Sequence, residues 1–277
     1  MKKPKNIYYL NLELFMSYEI YVNDLKITNN IQSGPVSGLE YLNDYILNSG
    51  VQKIKLIDRD LKTNSNIPDD LFSQMKLEIF TSDENEENIE QLNGFDFPST
   101  SIPRPYYFEY TWEFDAEVPY EIEGWKNGKD LTQLDSKELE KMLLDKFKYF
   151  KKILNDGEIT KFMNENSKNY SEFITANYYQ NKWDEYEENI SETIGNQKGC
   201  LLPLENYKMI ISGDGKLVTL ERTDIKYLGE SALLAVNNTK NKLYTNYMHF
   251  YMPEDSEELE PIRLRIEYAT ADISKVK

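Results

Sequence analysis

Apolar residues fall on alternate positions through much of the first third of the chain. From residue 8 to 16 the even positions are Tyr8, Leu10, Leu12, Leu14 and Met16, while Asn11 and Glu13 fall on the other side. A period of two is the mark of a half-buried strand. Tyr18, Ile20 and Val22 repeat it, Asn23-Asp24 supplies a turn, and Leu25 and Ile27 follow. Short strands are expected again at residues 53–57 and 75–80, separated by Asn48-Ser49-Gly50 and the polar stretch 62–70. The clearest strand is 106–118. Its even positions run Tyr106, Phe108, Tyr110, Trp112, Phe114, Ala116 and Val118, and its odd positions include Glu109, Thr111, Glu113, Asp115 and Glu117. One face packs on a core and the other meets water. Residues 1–122 are therefore expected to form an antiparallel β-sandwich of immunoglobulin-like size.

The period then changes. After the polar, glycine-containing break at 124–130, Asp135-Ser136-Lys137-Glu138 has the form of a capping box, with Asp135 as N-cap. Leu139, Met142, Leu143, Phe147, Phe150, Ile153 and Leu154 follow at helical spacing until Asn155-Asp156-Gly157 stops the helix. A second, short helix carries Ile159, Phe162 and Met163. A third is expected from about Asn169 towards Ile194, anchored by Tyr170, Phe173, Ile174, Trp183, Tyr186 and Ile190. Alternation returns after Leu201. Tyr207, Met209 and Ile211 lead into Gly213-Asp214-Gly215, and Val218 and Leu220 lead out, a hairpin signal. Further strands are expected at 243–252 and through Ile262, Leu264 and Ile266. Helices followed by a run of strands make residues 130–277 an α+β domain of three helices and an antiparallel sheet. The fold class of the whole is α+β.

Composition narrows the function classes. The chain has 277 residues, and its 13% aromatic content, with 21 Tyr and 12 Phe, is enough to bury a core and argues against disorder. The formal net charge of −16 repels nucleic acid and anionic membrane surfaces and attracts basic partners. Met1-Lys2-Lys3-Pro4-Lys5 is basic, but no apolar leader segment follows and no stretch approaches the length of a membrane helix, so the cytoplasm is the expected address. The single cysteine, Cys200, and single histidine, His249, exclude a disulfide within the chain and the usual multi-histidine or cysteine metal sites. No metal or cofactor is expected.

Two features could carry chemistry. His249 shares a strand face with Tyr247 and Tyr251, so these three are candidate pocket residues. His249 is then either a general base in a tyrosine-lined pocket or a hydrogen-bonded residue of a partly exposed sheet. The acidic loop at 83–90 lacks the glycine and ligand spacing of a calcium loop. Gly213-Asp214-Gly215 precedes no helix N-terminus and so is no phosphate cradle. No catalytic residues are assigned. The second feature is surface. Acidic clusters lie at 83–90, on the outer face of 106–118, at 184–188 and at 254–260. Tyrosines sit among two of them, which makes Tyr107, Glu109, Glu113, Asp184 and Tyr186 candidate interface residues, with rings to anchor and charges to steer.

The stretch Lys152-Ile153-Leu154-Asn155-Asp156-Gly157-Glu158-Ile159-Thr160-Lys161-Phe162 resembles the first-to-second helix junction of the NTF2-like family. In that family a Gly/Asp turn separates two helices and an aromatic packs into a cone. The resemblance covers about residues 135–270 and implies a cone-shaped fold, which serves both enzymes and binding modules. In overall character the acidic, cofactor-free chain resembles bacterial toxin-immunity proteins. That resemblance implies a basic, cognate toxin as partner. A small-molecule-binding or hydrolytic α+β domain with its pocket around His249 is the alternative.

Overall fold

The computed structural model describes residues 3–31, 35–59, 73–97 and 107–270, with the side chains of Arg59, Tyr107 and Phe108 outside that description. Tyr106 and the polar stretch 62–70 lie outside the described residues. The protein is α+β and divides into two compact units. The first comprises residues 1–122 together with 175–178, and the second 123–174 with 179–277.

In the first unit eight strands, β1 (Ile7–Leu14), β2 (Tyr18–Val22), β3 (Leu25–Asn30), β4 (Val36–Tyr41), β5 (Gly50–Arg59), β6 (Lys76–Ser82), β7 (Glu90–Gly94) and β8 (Tyr107–Ala116), build two four-stranded antiparallel sheets. Their orders are β4-β1-β6-β7 and β3-β2-β5-β8. The sheets meet through the rings of Tyr8 and Phe114, 5.9 Å apart, and the Tyr8 hydroxyl accepts from the Glu117 N–H at 2.7 Å. Leu10, Leu12 and Leu14 of β1 and Ile20, Val22, Ile54 and Leu56 of the second sheet's central strands are all buried. Asn23 and Asp24 adopt left-handed φ of 48° and 64°, the two-residue hairpin turn whose twist suits the flanking strands. The alternation of β8 holds: Phe114 and Ala116 are buried, while Glu109, Thr111, Glu113 and Asp115 are exposed.

The chain re-enters this unit at 175–178. Fully buried Asn43 accepts the Tyr8 N–H on Oδ1 at 2.8 Å and donates through Nδ2 to the carbonyls of Asn6 and Ala176, each at 2.9 Å. Asn177 donates to Asp44 at 2.5 Å, and the Tyr178 hydroxyl donates to the Asn6 carbonyl at 3.2 Å.

The second unit contains α1 (Ser136–Asp156), α2 (Ile159–Glu165), α3 (Ser167–Ala176, the last two residues counted with the first unit) and α4 (Trp183–Gly195). Asp135 caps α1 by accepting the Lys137 and Glu138 N–H groups, each at 3.0 Å. Gly157, at φ 71°, ends the helix in a left-handed cap, with the Glu158 N–H returning to the Ile153 carbonyl. Where one helix is expected from Asn169 towards Ile194, there are two. Tyr178 takes φ +59°, and the polar groups of 176–178 bond within the first unit instead of continuing a helical ladder.

Five strands, β9 (Tyr207–Ser212), β10 (Leu217–Arg222), β11 (Leu234–Asn237), β12 (Lys242–Tyr251) and β13 (Glu260–Thr270), form the second unit's antiparallel sheet in the order β11-β12-β10-β9. β13 pairs along the whole of β12. The apolar stripe of α1 (Leu139, Leu143, Phe147, Phe150) packs on the β12 face that carries Met248 and Phe250. Phe147 and Phe150 both reach the Phe250 ring at 5.7 Å, and Phe162 of α2 closes the cluster. Burial of each such ring contributes about 1.5–3 kcal/mol. Among the described residues no helix is long and apolar enough to cross a membrane.

Candidate functional site

β12 is buried on both faces. Opposite the α1 side stand Thr245, Tyr247, His249 and Tyr251, all with less than a tenth of their surface exposed. Register brings the arginines of β13 alongside, Arg265 across from Tyr247 and Arg263 across from His249, with a bulge immediately after His249. Tyr247, His249 and Tyr251 thus share one face, and their surroundings are ionic. Arg263 donates to Glu172 at 2.5 Å and lies 5.1 Å from the Trp125 ring centre. Arg265 sits 4.3 Å above the Tyr247 ring and 2.9 Å from Glu267. Lys168 donates to the Tyr251 hydroxyl at 2.5 Å and lies 3.8 Å from Glu123.

α3 supplies this layer from one side. Lys168, Asn169 and Glu172 project together at helical spacing. The Asn169 side chain accepts the Leu264 N–H from β13 at 3.1 Å, and Glu172 accepts the Gly124 N–H at 3.1 Å as well as Arg263. Burial and then the charge of Glu230, to which Tyr247 donates, push the Tyr247 hydroxyl well above its ordinary pKa. Burial opposes the charge on Lys168, but the Tyr251 hydroxyl and the nearby Glu123 and Glu172 outweigh it, and its pKa is raised. Near neutral pH Tyr247 is therefore protonated, Lys168 is charged, and cations stand against carboxylates. Such an arrangement fixes α3 on the sheet. Among the described residues no three His, Cys, Asp or Glu side chains converge where a metal ion could be held.

No protein-family model, curated protein or solved structure matches this chain.

The candidate interface residues separate into two places. In the first unit Glu109 and Glu113 stand exposed on the outer face of β8, while the Tyr107 side chain lies outside the described residues. Lys53 of β5 is directly across from Glu113, and Lys55 is next along the same row, so basic residues border the acidic one. Their positions follow only from strand pairing, which the 59 residues between Lys53 and Glu113 hide in the sequence.

In the second unit Asp184 is exposed at the start of α4 with Glu185, Glu187 and Glu188. Tyr186 is half-buried and stacks on Phe173 of α3, ring centres 4.4 Å apart at 19°. Tyr179 lies 5.6 Å from Phe173, and Trp183 lies 5.7 Å from Tyr186 and 5.6 Å from Tyr170. Sequence reasoning found Tyr186 as a single ring among charges and missed the cluster. Its signal was the recurrence of aromatics at 170, 173, 179, 183 and 186 across a supposed single helix.

Proposed function

We propose that the protein is a non-enzymatic acidic binding protein, an immunity protein that neutralises a basic toxin in the cytoplasm of a bacterium. One observation carries this reading. Among the described residues the buried charged side chains are three carboxylates (Glu19, Asp58, Glu221) and three cations (Lys26, Arg222, Arg263), whose formal charges cancel. The acidic excess is therefore displayed at the surface, at Glu109 and Glu113 of β8 and along the first half of α4. A net acidic surface steers an oppositely charged protein and speeds its capture, while it keeps nucleic acid and anionic membranes away. A toxin that acts on nucleic acid needs a basic cleft, which this surface complements.

Co-expression with the protein encoded by an adjacent gene tests the proposal. Cells that survive the neighbouring gene product only when this chain is present, with a complex that weakens as salt rises, are the expected result. A neighbouring product that is harmless, or equally lethal in its presence, refutes the toxin-neutralising role.

A further inference from the structure

We infer, resting on the binding role proposed above, that the aromatic cluster between α3 and α4 is a docking surface for an arginine-bearing segment of a basic protein. Trp183 and Tyr186 stand three residues apart on α4, and so on one face. Phe173, Tyr179, Trp183 and Tyr186 are all only partly buried, so four large rings in mutual contact leave part of their surface to solvent in one place. Exposed carboxylates flank them. Helix polarity accounts for Asp184 and Glu185 in the first turn of α4. It does not account for Glu187 and Glu188, which add like charges three and four residues from Asp184 and make no ion pair among the described residues.

Two further observations point to a cation. Lys182 already lies over the Tyr179 ring, 5.6 Å from its centre, so a face of this cluster accepts positive charge. Beside Trp183, Tyr170 is 5% exposed, and its buried hydroxyl has no hydrogen-bond partner. An unsatisfied buried hydroxyl is a standing cost that a donor entering the cluster would remove. Arginine meets every requirement: a planar guanidinium to stack on indole or phenol, five N–H donors for the Tyr170 oxygen, and a fixed charge for the carboxylates. Lysine offers the charge and far less of the stacking.

Hexa-arginine and hexa-lysine peptides titrated against the full chain by calorimetry, at low and at physiological ionic strength, provide the test. The arginine peptide should bind at least about five-fold more tightly than the lysine peptide. Trp183→Leu should erase that preference, and Glu187→Gln with Glu188→Gln should weaken both peptides alike. Tyr170→Phe removes only the orphaned hydroxyl. It should narrow the arginine preference while leaving the protein at least as stable, an outcome that a purely structural role for the cluster does not produce. Equal affinities in the wild-type chain, or a preference that survives both Trp183→Leu and Tyr170→Phe, overturn the docking surface and leave the acidic binding role standing. If neither peptide binds, the binding role itself falls.

Discussion

Replacing Asn43 by alanine should destabilise the first unit by about 3–5 kcal/mol. The side chain is fully buried and makes three hydrogen bonds. Because the Leu42 N–H bonds to the Tyr8 carbonyl, the Asn43 amide continues the β1–β4 ladder by one step and receives the Tyr8 N–H. Alanine orphans that N–H and the Ala176 carbonyl, at roughly 1–3 kcal/mol each, and leaves a small cavity. The Asn6 carbonyl keeps the Tyr178 hydroxyl and adds little. Asn43→Asp is the sharper variant. It keeps the acceptor for Tyr8 but turns a carboxylate oxygen towards two carbonyls, which raises the folded-state pKa of the new carboxyl above its unfolded value. Stability should therefore be highest below the unfolded carboxyl range and fall as pH rises through the raised folded value. Urea titrations read by hydrogen exchange in peptides from β1 measure both. A cost below about 1 kcal/mol for alanine, or an aspartate variant as stable as wild type at neutral pH, would refute the hydrogen-bond accounting.

Gly213→Ala should destabilise the β9–β10 hairpin by about 1–2 kcal/mol, measured as a lower Tm, because the residue sits at φ +60° and a Cβ would stand 2.6 Å from Leu217 Cδ1. Removing Glu172 as Glu172→Ala should cost about 3–5 kcal/mol in urea unfolding, since it takes the carboxylate away from the buried Arg263 guanidinium, whereas the paired change to apolar residues should cost much less. The Asp83 carboxyl is held below its usual range by the Asn88 side chain and then by the Glu87 and Asn85 N–H groups. Its contribution to the β6–β7 turn is present above the unfolded carboxyl pKa and lost as pH falls through the lowered folded value, and NMR titration of the carboxyl carbon should follow that loss. Residues 1–122 expressed alone should melt below the first unit of the full chain, and a peptide spanning 170–182 should restore part of the difference. A fragment indifferent to the peptide would show that 175–178 contribute nothing.

The elements most legible in the sequence were those with one buried face. β1, β8 and α1 announce themselves because burial enforces period two or 3.6 over many residues, and the cap at Asp135 and stop at Gly157 bound α1 from purely local chemistry. β4 and β7 were not legible. Both are edge strands with mostly exposed residues, placed by pairing to β1 and β6, so no hydrophobic alternation marks them. The break after Ala176 was equally hidden, since Asn43 and Asp44 lie more than 130 residues away. At the candidate site the shared face of Tyr247, His249 and Tyr251 followed from strand alternation. The arginines opposite depended on the β12–β13 register, and Glu172 and Lys168 depended on tertiary packing of α3.

The first unit's discontinuity in sequence also governs its birth on the ribosome. Its strands have all been synthesised once Ile122 is added, yet Thr175–Tyr178 arrive only after residues 123–174 have been translated. At about 5–20 residues per second the nascent sandwich waits roughly 3–10 s with Asn43 lacking one acceptor. For that interval it is an incomplete structure, open to chaperones and proteases, and synonymous codons that slow translation across 123–174 would lengthen its exposure without altering a single amino acid.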